Sequence, residues 1–252
     1  MGDFIKFLGT AGARFVMIKQ LRHSGGLWIS AHDTNILIDP GPGSLVRCIK
    51  SRPKLNPELL DGIILTHRHI DHANDVNVMI EAMTQGGFKK RGVVFAPADA
   101  LQGDPVILEY VRAYPERIET LQPLQEFSIG VCRFTTSMQH LHPAQTYGLK
   151  FTLGDKTVGL ISDTRYFPEL ADFYRTDILI LNVILMTPRP GVDHLSIEEV
   201  KELLRVLRPK QTVLTHFGMT LLKARPHLLA RRLSDELGLD ILAATDGMTL
   251  AF

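Results

Sequence analysis

Cysteine is nearly absent from this chain. Two residues, Cys48 and Cys132, occur in 252. That number excludes a disulfide framework, and their separation excludes a CxxC metal or redox pair. Both read as buried or incidental thiols in a reducing compartment. Net charge is equally scarce: 28 lysines and arginines face 27 acids, leaving +1. Such a balance argues against bulk electrostatic capture of nucleic acid, although a local basic patch stays compatible with it. No apolar run reaches transmembrane length. The first residues, Asp3 to Leu8, read as a strand and show neither the basic start nor the apolar stretch of an export signal. These absences point to a cytoplasmic protein that makes no use of a membrane. No internal repeat, low-complexity tract or Pro/Ser-rich linker divides the sequence. Residues 1–252 are therefore expected to form a single domain, and a composition of 45% hydrophobic and 22% charged residues leaves ample material for its core.

What the chain does have is histidine, and in one place it is dense. Thr66-His67-Arg68-His69-Ile70-Asp71-His72 puts three imidazoles and a carboxylate within six consecutive positions. Imidazole and carboxylate together suit zinc, iron, nickel or manganese better than calcium or magnesium. The run Gly62 to Thr66 before it reads as a short buried strand. The stretch Ala73 to Met83 after it reads as a helix with Val76, Met79, Ile80 and Met83 on its apolar face. The cluster thus lies past the carboxyl end of a strand, where open α/β folds place ligands. His67 and His69, two apart on an extended loop, can share one ion. Asp71 and His72, displaced by the start of the helix, can serve a second.

Further strands and helices alternate along the chain. Leu27 to Ser30 and Asn35 to Asp39 flank a polar turn, and Pro40-Gly41-Pro42-Gly43 precedes a helix around Ser44 to Ser51. Residues 93–96 read as a strand. The span 98–115 reads as an irregular surface helix interrupted by Pro105, with a lid as the alternative. Phe127 to Ser137, Tyr147 to Leu153, Thr157 to Ser162, Ile178 to Leu181 and Gln211 to Thr215 read as strands. Ser196-Ile197-Glu198-Glu199 is a capping box opening a helix, and a helix from about 219 to 237 is expected to bend at Pro226. Potential ligands recur at these strand ends: His140 and His142, then Asp163, then His216. Trp28 is expected in the core, and Lys89-Lys90-Arg91 in a solvated loop. Arg165 and Tyr166 are weaker candidates for substrate contact. His23, His32 and His227 lack supporting context.

His67-x-His69-x-Asp71-His72, a later histidine, Ser162-Asp163-Thr164 and Leu214-Thr215-His216-Phe217 resemble the motifs of the metallo-β-lactamase-fold hydrolase superfamily. Leu37-Ile38-Asp39-Pro40-Gly41 is similar to its early Asp-x-Gly turn, so the resemblance runs in order from 39 to 216. It implies an α/β fold, a four-layer αββα sandwich, with two divalent metal ions at one edge. Zinc is the first choice, with manganese, iron or nickel as alternatives. Carried over, His67, His69 and His142 would bind the first ion, Asp71, His72 and His216 the second, and Asp163 would bridge. Asp71 also counts with the catalytic residues, and Asp39 would orient the histidine loop. The stretch from His142 to Gly148 resembles the third motif of phosphodiesterase members, which favours His142 over His140 as the ligand. Asp193-His194-Leu195-Ser196 resembles the closing segment of ribonuclease Z and of the cyclic phosphodiesterase of phosphonate breakdown, where His194 would serve as general acid or transition-state stabiliser. The long tRNA-gripping arm of ribonuclease Z has no counterpart here. The resemblance therefore implies a phosphodiesterase for a small phosphodiester, with nucleic acid as the less favoured substrate and a homo-oligomer compatible. Hydrolysis of a lactone or thioester on the same two ions is the alternative. An iron-dependent oxidoreductase ranks below both, since the diiron pattern usually carries Glu where His69 stands. A metal- or partner-binding role without chemistry ranks last.

Overall fold

A computed structural model describes residues 2–252, and within it the chain builds two sheets one after the other. The first sheet is built from β1 (Phe4–Phe7), β2 (Leu27–Ala31), β3 (Thr34–Ile38), β4 (Gly62–Ile64), β5 (Val93–Ala96) and β6 (Arg117–Thr120). The second takes β7 (Glu126–Ile129), β8 (Cys132–Gln139), β9 (Tyr147–Leu153), β10 (Lys156–Ile161), β11 (Ile178–Asn182), β12 (Gln211–Thr215) and β13 (Ile241–Ala243). The last strand, β14 (Thr249–Ala251), returns to the first sheet beside β1. The strand orders are β14-β1-β2-β3-β4-β5-β6 and β13-β12-β11-β10-β9-β8-β7. Each sheet starts antiparallel and turns parallel, at the β3/β4 pair in one and at the β10/β11 pair in the other. Parallel strands send consecutive carboxyl ends to one edge, which is how distant parts of the sequence meet there.

The parallel strands β4, β5 and β11 read as apolar runs because they are covered on both faces. Ile5 and Phe7 of β1, Ile36 and Ile38 of β3, and Val158 and Leu160 of β10 enter one core between the sheets. Their neighbours point the other way. Phe4, Leu37 and Trp28 pack under Val76, Met79 and Met83 of the helix Val76–Met83. Leu179 and Leu181 pack under Val200, Leu203 and Leu204 of the helix Ile197–Leu207. Helix, sheet, sheet, helix is the four-layer αββα sandwich expected from the sequence. The capping box is also present, with Glu199 N–H donating to Ser196 Oγ and Ser196 N–H to Glu199 Oε2. Among the described residues no helix is long and apolar enough to cross a membrane.

Several elements differ from the sequence reading. The helix expected over Ala73 to Met83 is two helices, Ile70–Ala73 and Val76–Met83. Between them Asp75 N–H donates to Pro40 O at 2.8 Å, a bond that fixes the metal-ligand type loop against the Asp39 turn. The stretch Phe127 to Ser137 is a hairpin, β7 and β8, turning at Gly130 with a positive φ. Residues 98–115 hold only two short 3₁₀ turns, Ala98–Ala100 and Glu109–Ala113. Their Ile107 and Val111 are buried in the outer core, and Asn77 bonds Val106 O and Leu108 N–H. That span is a packed strap. The C-terminal helix breaks where Pro226 marks it, into Met219–Lys223 and Pro226–Leu237.

Candidate metal centre

The first sheet delivers its polar side chains around a single buried carboxylate. Asp39, just past β3, has a left-handed backbone with φ 52°. Its Oδ1 accepts Thr66 N–H at 2.7 Å, and its Oδ2 accepts Thr66 Oγ1–H at 2.7 Å and His72 Nδ1–H at 3.0 Å. A carboxylate can only accept, so the Thr66 hydroxyl proton is committed to Asp39. The Thr66 oxygen is then the acceptor for His67 Nδ1–H at 3.1 Å and for Ser162 Oγ–H at 2.8 Å. Both rings thereby carry a proton on Nδ1 and turn Nε2 to the centre. Gly41 explains how the loop closes: a Cβ there would lie 2.0 Å from Asp71 O.

The second sheet contributes one residue per strand end. His142, after β8, donates Nδ1–H to Asp193 O at 3.0 Å, which leaves its Nε2 bare and 3.0 Å from His69 Nδ1. Asp163, after β10, reaches into the centre. Its Oδ2 lies 3.8 Å from His67 Nε2 and 3.5 Å from His72 Nε2. Its Oδ1 lies 3.5 Å from His216 Nε2 and accepts Asn182 Nδ2–H at 2.9 Å. His216, after β12, has φ 61°. Asp71 Oδ2 is 3.6 Å from both His72 Nε2 and His216 Nε2.

These distances fit a shared cation better than hydrogen bonds. At 3.5–3.8 Å the pairs around Asp163 and Asp71 are too long to be good hydrogen bonds. Two ligands each about 2.1 Å from one tetrahedral ion stand about 3.4 Å apart. The Nε2 atoms of His67, His72 and His216 are buried without any hydrogen-bond partner, which is costly unless another ligand-seeking species meets them. His67, His69 and His142 bring their ligand atoms within 4.8 Å of one another, as do Asp71, His72 and His216. The donor set therefore fits divalent metal.

The electrostatics divide the cluster in two. Burial, with His72 close by, holds His67 well below the usual imidazole pKa. Burial also lowers His69 and His142, with the His142 ring adding to it at His69 and the His194 ring at His142. Those three present neutral lone pairs. His72 is opposite: burial lowers it, but Asp71, Asp163 and Asp39 together raise it well above the usual value. Burial disfavours the Asp163 carboxylate, yet His216, His194 and His72 hold its pKa well below the usual range. The Asp71–Asp163 side thus attracts positive charge.

His140 stands apart from this set. Its Nδ1–H donates to Asp163 O at 3.2 Å and its Nε2 accepts Tyr174 O–H at 2.8 Å. Both nitrogens are used, and burial pushes its pKa down to about 4. Of the two candidates after β8, the geometry brings His142 and not His140 to His67 and His69. His194 lies on the wall of a cleft of about 810 Å³ with Arg14, Met17, Ile18, Ile70 and Pro143, its Nδ1 3.5 Å from Asp163 Oδ2. Arg165 is exposed, and Tyr166 packs on the outer core of the second sheet. Arg91 is taken up by Asp61 and Leu60 O. Sequence reasoning passed over Asn182, Thr66 and Tyr174 as supports. Only Thr66 and Asn182 carried a signal, as polar residues at the ends of buried strands.

Comparison with known proteins agrees with this geometry. Residues 34–217 match the beta-lactamase superfamily domain. An uncharacterized protein of Methanocaldococcus jannaschii is 29% identical over 97% of this chain and 93% of its own length. YhfI of Bacillus subtilis, named a probable metallo-hydrolase, is 25% identical over 77% of this chain and 79% of its own. The crystal structure of YhfI has a TM-score of 0.81 to this chain at 20% identity, covering 100% of both. A diphosphatase from the PhnP family has a TM-score of 0.72 at 19% identity, covering 100% of this chain and 98% of its own. The family match runs over well more than half of the chain and takes in every strand end from Asp39 to His216; the chain belongs to the metallo-beta-lactamase superfamily.

Proposed function

We propose that this chain, acting as one hydrolase domain over residues 1–252 in the cytoplasm, is a metal-dependent phosphodiesterase for a small phosphodiester. The observation that carries the metal part is the trio of buried, unpartnered Nε2 atoms on His67, His72 and His216, all turned to Asp163. In this reading His67, His69 and His142 would hold one ion, and Asp71, His72 and His216 the other. Asp163 would serve both. Zinc suits so nitrogen-rich a set, with manganese, iron and nickel as competitors. When bound, two such ions supply Lewis acidity towards a phosphoryl oxygen and a water of lowered pKa.

The remaining steps belong to the chain's own residues. His194 faces the cleft beside Asp163 and would hydrogen-bond the leaving oxygen. Arg14, on the same wall and with no carboxylate within 4.0 Å among the described residues, would attract an anionic substrate. Met17, Ile18 and Ile70 would cover its apolar part and exclude water. A lactone-type reaction would be favoured by a phenol over the metals. Among the described residues no tyrosine lines the cleft, and the Tyr147 hydroxyl is bound to Gln145 Nε2 inside the core. The fold likeness to a diphosphatase accords with phosphorus–oxygen chemistry as an analogy.

The test is hydrolysis of bis(p-nitrophenyl) phosphate by metal-stripped protein titrated with zinc, manganese, nickel and iron. Metal-dependent turnover is expected. Asp163→Ala should lose both metal and turnover. His194→Ala should keep its metal and lose about 10²-fold or more in kcat. No turnover with any metal overturns the phosphodiester reading and directs the search to lactones and thioesters.

A further inference from the structure

A second cavity, of about 350 Å³, lies between the end of β1, the carboxyl end of the helix Ser44–Lys50 and the turn before β14. Its wall carries four cations, Lys6, Arg47, Lys50 and Arg52. Among the described residues none of the four has a carboxylate within 4.0 Å, although ion pairs occur elsewhere on the molecule. The one acid on the wall, Asp246, keeps its charge but turns both oxygens to neutral donors, so the wall carries four cations against one anion. Its Oδ1 accepts Thr10 N–H and Thr10 Oγ1–H, and its Oδ2 accepts His23 N–H.

Two features show that this is more than a charged surface. Lys6 is only 4% exposed, yet its ammonium donates to neutral oxygens alone, Arg52 O and Thr249 Oγ1. A buried charge without a counter-charge in contact is costly. The Arg47 guanidinium is held in place by donating to His23 Nδ1 at 2.7 Å, and Ser51 Oγ on the same wall has no hydrogen-bond partner. The helix dipole accounts for Arg47 and Lys50, which sit in the last turn of their helix. It does not account for Lys6 or Arg52. In a chain of net charge +1, four unpaired cations around one cavity are a local concentration.

We infer that this cavity binds the phosphate end of a small phosphorylated molecule. Guanidinium forks and ammonium groups together match a multiply charged, many-lobed anion better than a single carboxylate. The volume lies near the lower end of the range for small-ligand sites. The cavity is separate from the His/Asp cluster, and Thr10 stands between them: its N–H meets Asp246, and its carbonyl accepts the N–H of Phe217, next to His216.

Calorimetric titration with inorganic pyrophosphate tests the assignment, run on the metal-free parent, so that no bound ion competes for the anion, and on the metal-free Asp163→Ala variant. Lys50 and Arg52 are exposed, so Lys50→Ala/Arg52→Ala should fold with unchanged melting temperature and, assayed separately, take up metal as the parent does. The expected result is a loss of about tenfold or more in pyrophosphate affinity in that double variant, with affinity retained in Asp163→Ala. Equal affinity in the double variant and the parent overturns the proposal. So does binding that disappears only in Asp163→Ala, which would place the anion at the His/Asp cluster. Tight capture of a short RNA without measurable pyrophosphate binding overturns it in favour of a nucleic-acid backbone.

Discussion

The two sheets hold their share of the metal centre in different ways. In the first, one buried carboxylate, Asp39, orients two imidazoles: His72 directly and His67 through the Thr66 hydroxyl. In the second, Asp163 and His142 have separate supports. Asn182 holds Asp163, Asp193 O holds His142, and His140 braces the main chain at Asp163. A shared anchor is compact but fails as a unit, whereas separate anchors fail one at a time. The difference also explains why the first half of the centre occupies six consecutive positions and the second spans His142 to His216.

The contrast can be broken most sharply at Asp39. Asp39→Asn turns one acceptor oxygen into a donor, which must face Thr66 or His72, both donors to it now. Metal affinity should fall by about 10–100-fold, and more than in Asn182→Ala, which removes a single bond to Asp163 and should fall by about tenfold. Competition titration with a chromogenic chelator measures both, and equal losses would mean that the two halves are anchored alike. Tyr174→Phe tests the other half. It leaves His140 Nε2 buried without its donor, so denaturant unfolding should show a loss of about 1–3 kcal/mol, with metal content retained. The smallest effect concerns Asp177, far from the centre, whose pKa is lowered to about 2, first by Lys210 and then by Thr157. A depressed carboxylate contributes stability that is full above its unfolded pKa and is lost as pH falls towards its folded one. Melting temperatures of the parent and Asp177→Asn should therefore differ slightly at pH 6 and converge between about pH 4 and pH 2.

The dense motif from His67 to His72 was legible because its spacing alone implies convergence, and the sandwich was legible through the family resemblance that this motif and its companions carry. The choice between His140 and His142 turns on a hydrogen bond to Tyr174, 34 residues away from His140, which no local pattern encodes. The short strands β6, β13 and β14 escaped notice because Arg117 to Thr120 are all exposed or half-buried and the other two are three residues long with one buried residue each, too little to show a pattern. The break at Asn74 and Asp75 is likewise tertiary: the helix yields to a bond with Pro40 O. The basic cavity draws on positions 6, 47, 50 and 52, which only the pairing of β1 beside the loop after the second helix brings together.

Asp39 and His216 both occupy left-handed backbone, at φ 52° and 61°. Side chains rarely tolerate that region, and each such residue costs on the order of 1 kcal/mol. Glycine would relieve the cost at either position and would remove the group the position exists to present. Any search for hardier variants, by selection or by design, will be drawn to these two codons and rewarded there with a firmer but inert fold. Screening on heat tolerance alone is therefore expected to erode this protein from its centre outward.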